Sequence, residues 1–302
     1  MIVTVTYNPA VDQTVQFDEP MEPDHVMRAE SARYDAGGKG INVAQFLTAM
    51  DKPCVATGLA GGFTGRFIRE DMQSGGVETD FTEIEGITRL NTTAIADDEE
   101  FKLNLSGPAV DRGIVDDVLE RVRAHDPDWV LVGGSLPPGL EIEDIDRIAT
   151  GGDWETIVDV EGTILKRLDA RYSMCKPNRH ELGDATDADV STLEGCARAA
   201  GSFRDQGFDR VLASLGADGA VLATEEQLLY ADALDVDVVD TVGAGDALLS
   251  GLLAAWEAGE SNEAALRTGV AVSSLLVSQA GTGIPSLASV ESLREDVTVQ
   301  TL

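Results

Sequence analysis

The strongest local signal for chemistry lies in the segment DTVGAGDALLSGLLAAW (240–256), where a Gly-Ala-Gly turn leads directly into an apolar helix. The backbone amides of Gly243, Ala244 and Gly245 can approach an anion closely, and the helix dipole favours negative charge at that end. Asp246 follows these amides. A carboxylate there is a poor phosphate ligand but can accept a proton from an attacking hydroxyl, which predicts a phosphoryl-transfer base. The alternative is an aspartate that only caps the helix.

A second glycine-rich segment, DAGGKGINVAQFLTAM (35–50), opens an amphipathic helix. It matches neither the P-loop pattern GxxxxGK(S/T) nor the dinucleotide pattern GxGxxG, so P-loop enzymes and nucleotide-dependent oxidoreductases are disfavoured. Taken alone, GGKG also fits a tight turn with an exposed lysine.

The charge balance excludes several classes of partner. The chain of 302 residues carries 54 acidic and 22 basic residues, for a formal net charge of −32. Such a surface repels phosphate backbones and anionic membranes, so we expect neither a nucleic-acid nor a membrane partner. Only five of the basic residues are lysines and the acids are scattered, which indicates a solvated, salt-adapted surface and a halophilic cytoplasm.

Other residue types give no metal or export signal. Cys54, Cys175 and Cys196 are widely spaced, which fits free thiols in a reducing cytoplasm better than a zinc site or a disulfide framework. The three histidines are not spaced as metal ligands. The N-terminal MIVTVTYNPA lacks the basic region of a targeting signal, and the longest apolar run is too short to cross a bilayer.

The elements that must position these residues are predicted from hydrophobic periodicity. Apolar runs typical of buried strands occur at 54–61, 128–134, 155–160, 172–178 and 209–216. Helical spacing separates them, as at 114–125 and 192–207. This alternation predicts a doubly wound α/β fold with a mainly parallel sheet.

Two segments interrupt that alternation. Residues 12–35 and 88–107 contain short alternating pieces with turn residues and little helical spacing. We expect them to form a small antiparallel β lid on a single domain spanning 1–302, a closure common in phosphoryl-transfer enzymes.

The order of the two glycine-rich segments resembles that of the ribokinase-like (phosphofructokinase B) family of carbohydrate kinases, and the resemblance covers nearly the whole chain. The opening TVTYNPAVD (4–12), together with TRLNT, GGSLPPG and KPNRHE, is similar to the sub-group that phosphorylates sugar phosphates, the 1-phosphofructokinases and tagatose-6-phosphate kinases. Tyr7 and Lys102 depart from the usual pattern at positions away from the expected chemistry.

The resemblance implies a set of acceptor-binding residues. By this resemblance, Asp12 binds sugar hydroxyls. Arg89, helped by Lys39, binds the phosphate already on the substrate through its planar guanidinium. A surface ion pair is the alternative role for Arg89. The implied acceptor residues are Asp12, Gly37, Gly38, Lys39, Asn42, Arg89, Asn91 and Ser135.

The resemblance also implies a nucleotide site and a magnesium ion. Asn178 and Glu181 arrange Mg²⁺ largely through water, and Lys176 neutralises the phosphates. The implied nucleotide-binding residues are Lys176, Asn178, Glu181, Ser214, Gly216, Gly219 and Thr241.

The implied reaction is transfer of the ATP γ-phosphoryl group to a sugar-phosphate hydroxyl, with ATP and Mg²⁺ required and K⁺ as an optional ion. D-fructose 1-phosphate is the favoured acceptor, with fructose 6-phosphate and tagatose 6-phosphate as alternatives. A non-catalytic sugar-phosphate sensor on the same fold is a further alternative, although such a protein could dispense with Asp246. We also expect a homodimer, because exposed lid edges can pair between two copies.

Overall fold

The computed structural model describes residues 1–97, 99–279 and 283–302. Its strands are β1 (Ile2–Thr6), β2 (Ala10–Phe17), β3 (Ser31–Gly37), β4 (Cys54–Ala60), β5 (Glu78–Glu83), β6 (Arg89–Ala96), β7 (Glu99–Leu103), β8 (Trp129–Gly133), β9 (Glu155–Asp159), β10 (Tyr172–Cys175), β11 (Phe208–Ser214), β12 (Ala220–Ala223), β13 (Leu228–Ala231) and β14 (Val299–Thr301). Its helices are α1 (Lys39–Ala49), α2 (Gly62–Ser74), α3 (Ile114–Ala124), α4 (Glu143–Ala149), α5 (Gly162–Leu165), α6 (Arg179–Thr186), α7 (Leu193–Arg204), α8 (Ala244–Glu257), α9 (Asn262–Val277) and α10 (Val290–Asp296).

The main sheet has ten strands in the order β14-β13-β12-β11-β10-β9-β8-β1-β4-β5. The seven strands from β11 to β5 pair in parallel, and β12 to β14 add an antiparallel edge. The predicted doubly wound α/β fold is confirmed. The antiparallel edge was not predicted.

Burial explains why the central strands are so apolar. Every residue of β1 and of β4 is buried, as expected for parallel strands covered on both faces. Successive side chains point to opposite faces, so Ile2 packs in one hydrophobic core while Val3 and Val5 pack in the other. The strand therefore holds the two helical layers at a fixed separation.

The smaller sheet contains the segments predicted as a lid, in the order β3-β2-β6-β7. Two antiparallel pairs, β2 with β3 and β6 with β7, are joined by a parallel pairing of β2 with β6. The register places Asp12 opposite Asn91 and Ala10 opposite Arg89. Residue 98, inside the predicted lid segment 88–107, lies outside the described residues.

Glycines let α8 lie unusually close to α9. A Cβ atom on Gly251 would lie 2.8 Å from the carbonyl oxygen of Thr268, and one on Gly269 would lie 2.6 Å from that of Leu248. The α8 helix is buried continuously from Asp246 to Ala255. This close packing fixes the position of α8 against α9.

Candidate active site

Polar residues of the candidate site gather where parallel strands of the main sheet end, two of them singled out from sequence and two found only in the structure. Asn8 follows β1, Ser135 follows β8, Asp159 ends β9 and Lys176 follows β10. Carboxyl ends of parallel strands share one edge of the sheet, where open α/β folds bind their ligands. The N-terminal ends of α1 and α8 meet them there, as the contacts below show.

Asp246 lies in the first turn of α8 and is 7% exposed. The helix begins at Ala244 with Gly243 as its N-cap in a left-handed conformation (φ 79°), so Asp246 does not occupy the capping position. Its Oδ2 atom accepts a hydrogen bond of 2.7 Å from Nδ2 of Asn42 on α1. A residue predicted as the base and one predicted in the acceptor loop are therefore in direct contact.

The surroundings of Asp246 favour its neutral form. Burial raises the pKa of Asp246 to about 6, and the Asp159 carboxylate acts in the same direction. Three contacts act in the opposite direction and lower this pKa: the charge of Lys176, the hydrogen bond from Asn42 and the charge of Lys39. A carboxylate with a pKa near neutrality is a stronger base than an ordinary aspartate and is still ionised at neutral pH.

A fully buried carboxylate, Asp159, bridges two lysines. Its Oδ1 atom is 2.7 Å from Nζ of Lys39, and its Oδ2 atom is 2.9 Å from Nζ of Lys176. Burial alone would raise the pKa of Asp159, but the two ammonium groups hold it below the ordinary value. Burial lowers the pKa of the Lys39 ammonium, but the negative charges of Asp159 and Glu181 outweigh burial, so the pKa is raised overall.

Sequence reasoning missed Asp159. The signal that could have found it is an acidic residue at the end of the apolar run ETIVDV, at the edge where ligands bind.

Lys176 reaches the start of α8. A Cβ atom on Gly245 would lie 2.9 Å from Nζ of Lys176, so the glycine leaves room for the ammonium group at this distance. Lys176 is 4% exposed. Its ammonium group adds a positive charge beside the backbone amides of the predicted anion site.

Asn178 and Glu181 form a capping box at the start of α6. Asn178 Oδ1 accepts from the Glu181 amide at 2.9 Å, and Glu181 Oε2 accepts from the Asn178 amide at 2.8 Å. The other carboxylate oxygen, Oε1, is 3.7 Å from Nζ of Lys39. The single side-chain oxygen of Asn178 and one carboxylate oxygen of Glu181 are thus bonded to the helix start, which fits a hydrated Mg²⁺ held through water better than direct coordination.

A cavity of 830 Å³ opens beside the start of α8. Seven residues predicted for the nucleotide or the base line it: Asn178, Ser214, Gly216, Gly219, Thr241, Ala244 and Gly245. Apolar side chains, among them Leu234, Val236 and Val270, line it too. Its volume and mixed lining suit a nucleotide.

Asp12 and Asn91 meet across the parallel pairing of the small sheet. Nδ2 of Asn91 donates to Oδ1 of Asp12 at 2.9 Å, while Oδ1 of Asn91 is buried and has no hydrogen-bond partner among the described residues. A Cβ atom on Gly37 would lie 1.9 Å from Oδ2 of Asp12, so the glycine makes room for the carboxylate. Burial raises the pKa of Asp12, against the Asn91 hydrogen bond and the Arg89 charge.

Arg89 is held by backbone carbonyl groups. Its Nη1 atom donates to Leu105 O at 3.1 Å and its Nη2 atom to Asn8 O at 2.9 Å. Its Nε atom is buried without a partner, and within 1–97, 99–279 and 283–302 the guanidinium forms no ion pair. The surface ion-pair alternative therefore does not describe Arg89, and burial lowers its pKa.

The remaining residues predicted for the acceptor site lie at the start of α1 and just after β8. Gly38 is the N-cap of α1 (φ 132°), and a Cβ atom there would lie 2.8 Å from Cγ2 of Thr6. Lys39 points to Asp159 and Glu181, its two ion-pair partners. Ser135 Oγ accepts a hydrogen bond of 3.1 Å from Asn8, a residue that sequence reasoning did not single out.

In the part of the chain that the structure describes, no three His, Cys, Asp or Glu side chains converge as metal ligands. No helix in the described ranges has the length and hydropathy needed to cross a membrane. Cys54, Cys175 and Cys196 are free thiols and are buried.

The fold of this chain is ribokinase-like. The ribokinase structure from Arabidopsis thaliana, solved with ribose and ATP, matches with a TM-score of 0.79 over 97% of this chain and 98% of that chain, at 24% identity. The profile of the pfkB family carbohydrate kinases matches residues 5–289. The chain belongs to this family and is a carbohydrate kinase.

Several relatives carry narrower names. A 1-phosphofructokinase of Haloferax volcanii is 50% identical over 302 residues, covering 100% of this chain and 99% of the relative. A D-tagatose-1-phosphate kinase of Bacillus licheniformis is 34% identical over 289 residues, covering 94% of each chain. The structure of a putative phosphofructokinase from Staphylococcus aureus has a TM-score of 0.84 and 28% identity, covering 100% of this chain and 99% of that one.

Proposed function

We propose that this kinase transfers the γ-phosphoryl group of ATP to D-fructose 1-phosphate, giving fructose 1,6-bisphosphate. The observation that carries the proposal is the buried Asp246 carboxylate, with its pKa raised to about 6, at a glycine-rich helix start beside the large cavity. The Haloferax volcanii relative, named 1-phosphofructokinase, supports this choice of acceptor.

In the proposed reaction Asp246 accepts the proton of the sugar hydroxyl. The hydroxyl oxygen forms a bond to the γ-phosphorus as the bond from that phosphorus to the bridging oxygen breaks, and ADP leaves. The amides of Gly243 to Gly245 and the adjacent Lys176 ammonium stabilise the negative charge on the transferring group. Positioning and charge stabilisation thus provide most of the catalysis.

The acceptor is proposed to bind between the small sheet and α1. Asp12 and Asn91 offer hydrogen-bonding groups to sugar hydroxyls, and Arg89, with Lys39 toward the reacting end, attracts the phosphate. A buried Nε on Arg89 and a buried Oδ1 on Asn91, neither paired within the described ranges, are groups that a bound acceptor can satisfy.

Magnesium is proposed to accompany ATP, with Asn178 and Glu181 holding its water ligands. When bound, the ion neutralises phosphate charge. The protein also supplies positive charge of its own for the phosphates, because Asp159 holds the ammonium groups of Lys39 and Lys176 in place. K⁺ is proposed only as an activating ion.

A second candidate acceptor is a tagatose phosphate, favoured by the Bacillus licheniformis relative named D-tagatose-1-phosphate kinase. Fructose and tagatose differ in configuration at a single hydroxyl-bearing carbon, so hydrogen-bonding groups such as those of Asp12 and Asn91 can discriminate between them.

The deciding experiment is a coupled assay of ADP release at high KCl with MgCl₂. The panel is fructose 1-phosphate, tagatose 1-phosphate, fructose 6-phosphate, tagatose 6-phosphate and unphosphorylated fructose, with Asp246→Asn as the matched inactive control. We expect the highest kcat/KM with fructose 1-phosphate. A preference for unphosphorylated fructose, or ADP release undiminished in Asp246→Asn, would contradict the proposal.

We also propose a single domain over residues 1–302 in which the small sheet closes as a lid, and a homodimer in a halophilic cytoplasm. Every residue of the lid's edge strand β7 is exposed, which leaves that edge available for pairing with a second copy. Light scattering at high salt tests the assembly, and a monomer at working concentrations would refute the dimer.

A further inference from the structure

Asn8 is a buried polar residue that joins three separate parts of the acceptor region. It lies just after β1 and is 4% exposed. Its Nδ2 atom donates to Ser106 O at 3.0 Å and to Ser135 Oγ at 3.1 Å. Its backbone oxygen accepts from Nη2 of Arg89 at 2.9 Å. One residue thus contacts the guanidinium, the end of β8 and the chain after β7.

Both carbonyl groups that hold Arg89 depend on Asn8. One is the carbonyl of Asn8 itself, and the other belongs to Leu105, which directly precedes the Ser106 that Asn8 binds. The segment also fits closely around the Asn8 side chain. A Cβ atom on Gly107 (φ 89°) would lie 2.2 Å from Asn8 Oδ1.

We infer that Asn8 is a positioning residue for recognition of the acceptor phosphate, because the hydrogen bonds of its side chain to Ser106 and Ser135 hold in place the two segments whose carbonyl groups orient Arg89. This inference rests on the proposed function of Arg89. Asn8 is not proposed to touch ATP or the reacting hydroxyl. Its effect is therefore confined to binding of the phosphorylated sugar.

The first test is Asn8→Ala, assayed with fructose 1-phosphate and ATP varied separately. We expect the KM of fructose 1-phosphate to rise about tenfold, equivalent to about 1.4 kcal/mol, while the KM of ATP changes by less than about twofold. A purely structural role would lower the melting temperature and the active fraction but leave both KM values in place, and that result would overturn the inference.

A double-mutant cycle separates action through Arg89 from an independent effect. If Asn8 acts by orienting the guanidinium, Asn8→Ala adds nothing to the KM increase already caused by Arg89→Ala. Additive increases in the double variant would refute the coupling.

Gly107→Ala keeps Asn8 but displaces its side chain, so it provides a second variant should Asn8→Ala fold poorly. It should reproduce the selective rise in the acceptor KM. Asn262→Ala, at the start of α9, is the matched control, because Asn262 bonds Trp256 and Gln227 outside the crevice and both KM values should stay unchanged.

The panel of acceptors in the wild-type protein distinguishes this inference from the proposed function. If another phosphorylated sugar proves to be the substrate, the same variants are measured with that sugar, and the prediction for its KM is unchanged. If the wild-type protein instead prefers an unphosphorylated sugar, both the acceptor assignment and the Asn8 inference fail. A phosphorylated substrate whose KM ignores Asn8→Ala and Gly107→Ala refutes Asn8 alone.

Discussion

Asp246 and Asp159 are two buried carboxylates whose environments shift their pKa values in opposite directions. Burial raises the pKa of Asp246 to about 6, whereas Lys39 and Lys176 hold the pKa of Asp159 low. Pairs of this kind indicate different chemical roles for the two groups. Asp246 is the one able to exchange a proton near neutral pH, and Asp159 is a permanent charge that organises the two lysines.

Asp246→Asn keeps the shape of the side chain but removes its basicity. Because general-base catalysis contributes about 10² to 10⁴ in rate, kcat should fall at least about a hundredfold. Dissociation constants for ATP and sugar phosphate, measured by calorimetry, should change little. Nearly unchanged turnover would remove Asp246 from the mechanism.

The raised pKa of Asp246 also gives a stability prediction. Above about pH 6 the folded protein holds a charged carboxylate that the unfolded chain ionises more easily, so this group destabilises the fold there. Below the unfolded pKa both states are protonated and the penalty disappears. Asp246→Asn should therefore raise the melting temperature at pH 8 more than at pH 4, as measured by calorimetry; an equal shift at both values would contradict the linkage.

Asp159→Asn tests the second carboxylate. It leaves two ammonium groups without their buried counter-charge, which should destabilise the fold by about 3 to 5 kcal/mol. It also removes a negative charge that raises the pKa of Asp246. In a profile of kcat against pH, the midpoint of the acid limb should therefore lie at a lower pH in the variant than in the wild-type protein. A midpoint at the wild-type pH or above it would show that Asp159 does not act on the base.

At the scale of elements, close packing of α8 on α9 sets the position of the base. Gly251→Ala would place a Cβ atom 2.8 Å from Thr268 O, so α8 must shift. We expect a loss of about 1 to 3 kcal/mol in urea unfolding, with reduced kcat. Gly201→Ala on α7 is the matched control, because a Cβ atom there meets nothing within 4 Å and should stabilise the helix by up to about 1 kcal/mol. Equal effects of the two changes would argue against tight packing.

The elements also show what sequence can predict. Buried strands such as 128–134 follow from local apolar patterns and agree with β8 to within one residue at each end. The start of α8 follows from its glycines in the same way. The parallel pairing of β2 with β6 joins segments far apart in the chain. Its register cannot be predicted from the local pattern of either segment. Asn8 was missed for the same reason, since its partners are distant in sequence.

At the scale of the whole molecule, charge dominates. With 54 acidic and 22 basic residues, at least 32 acids (54 − 22) cannot each have their own basic partner. Their mutual repulsion destabilises the compact state and is weakened by salt.

Salt should therefore stabilise the protein. Raising KCl from about 0.1 M to about 2 M shortens the Debye length from about 10 Å to below about 3 Å, so the melting temperature should rise. Association with the two anionic substrates should also improve as the surface charge is screened. Scanning calorimetry across a KCl series checks this, and a maximum in stability at low salt would contradict it.

The register of the small sheet limits how the chain can tolerate changes in length. Side chains alternate between faces along β2 and β6, and Asp12 and Asn91 lie opposite each other in that register. Inserting one residue inside either strand would turn the following side chains to the other face. An insertion between β2 and β3, in residues 18–30, leaves both strands intact. Over evolutionary time, that connection can therefore vary in length, whereas variation within β2 and β6 is restricted to replacement of one residue by another.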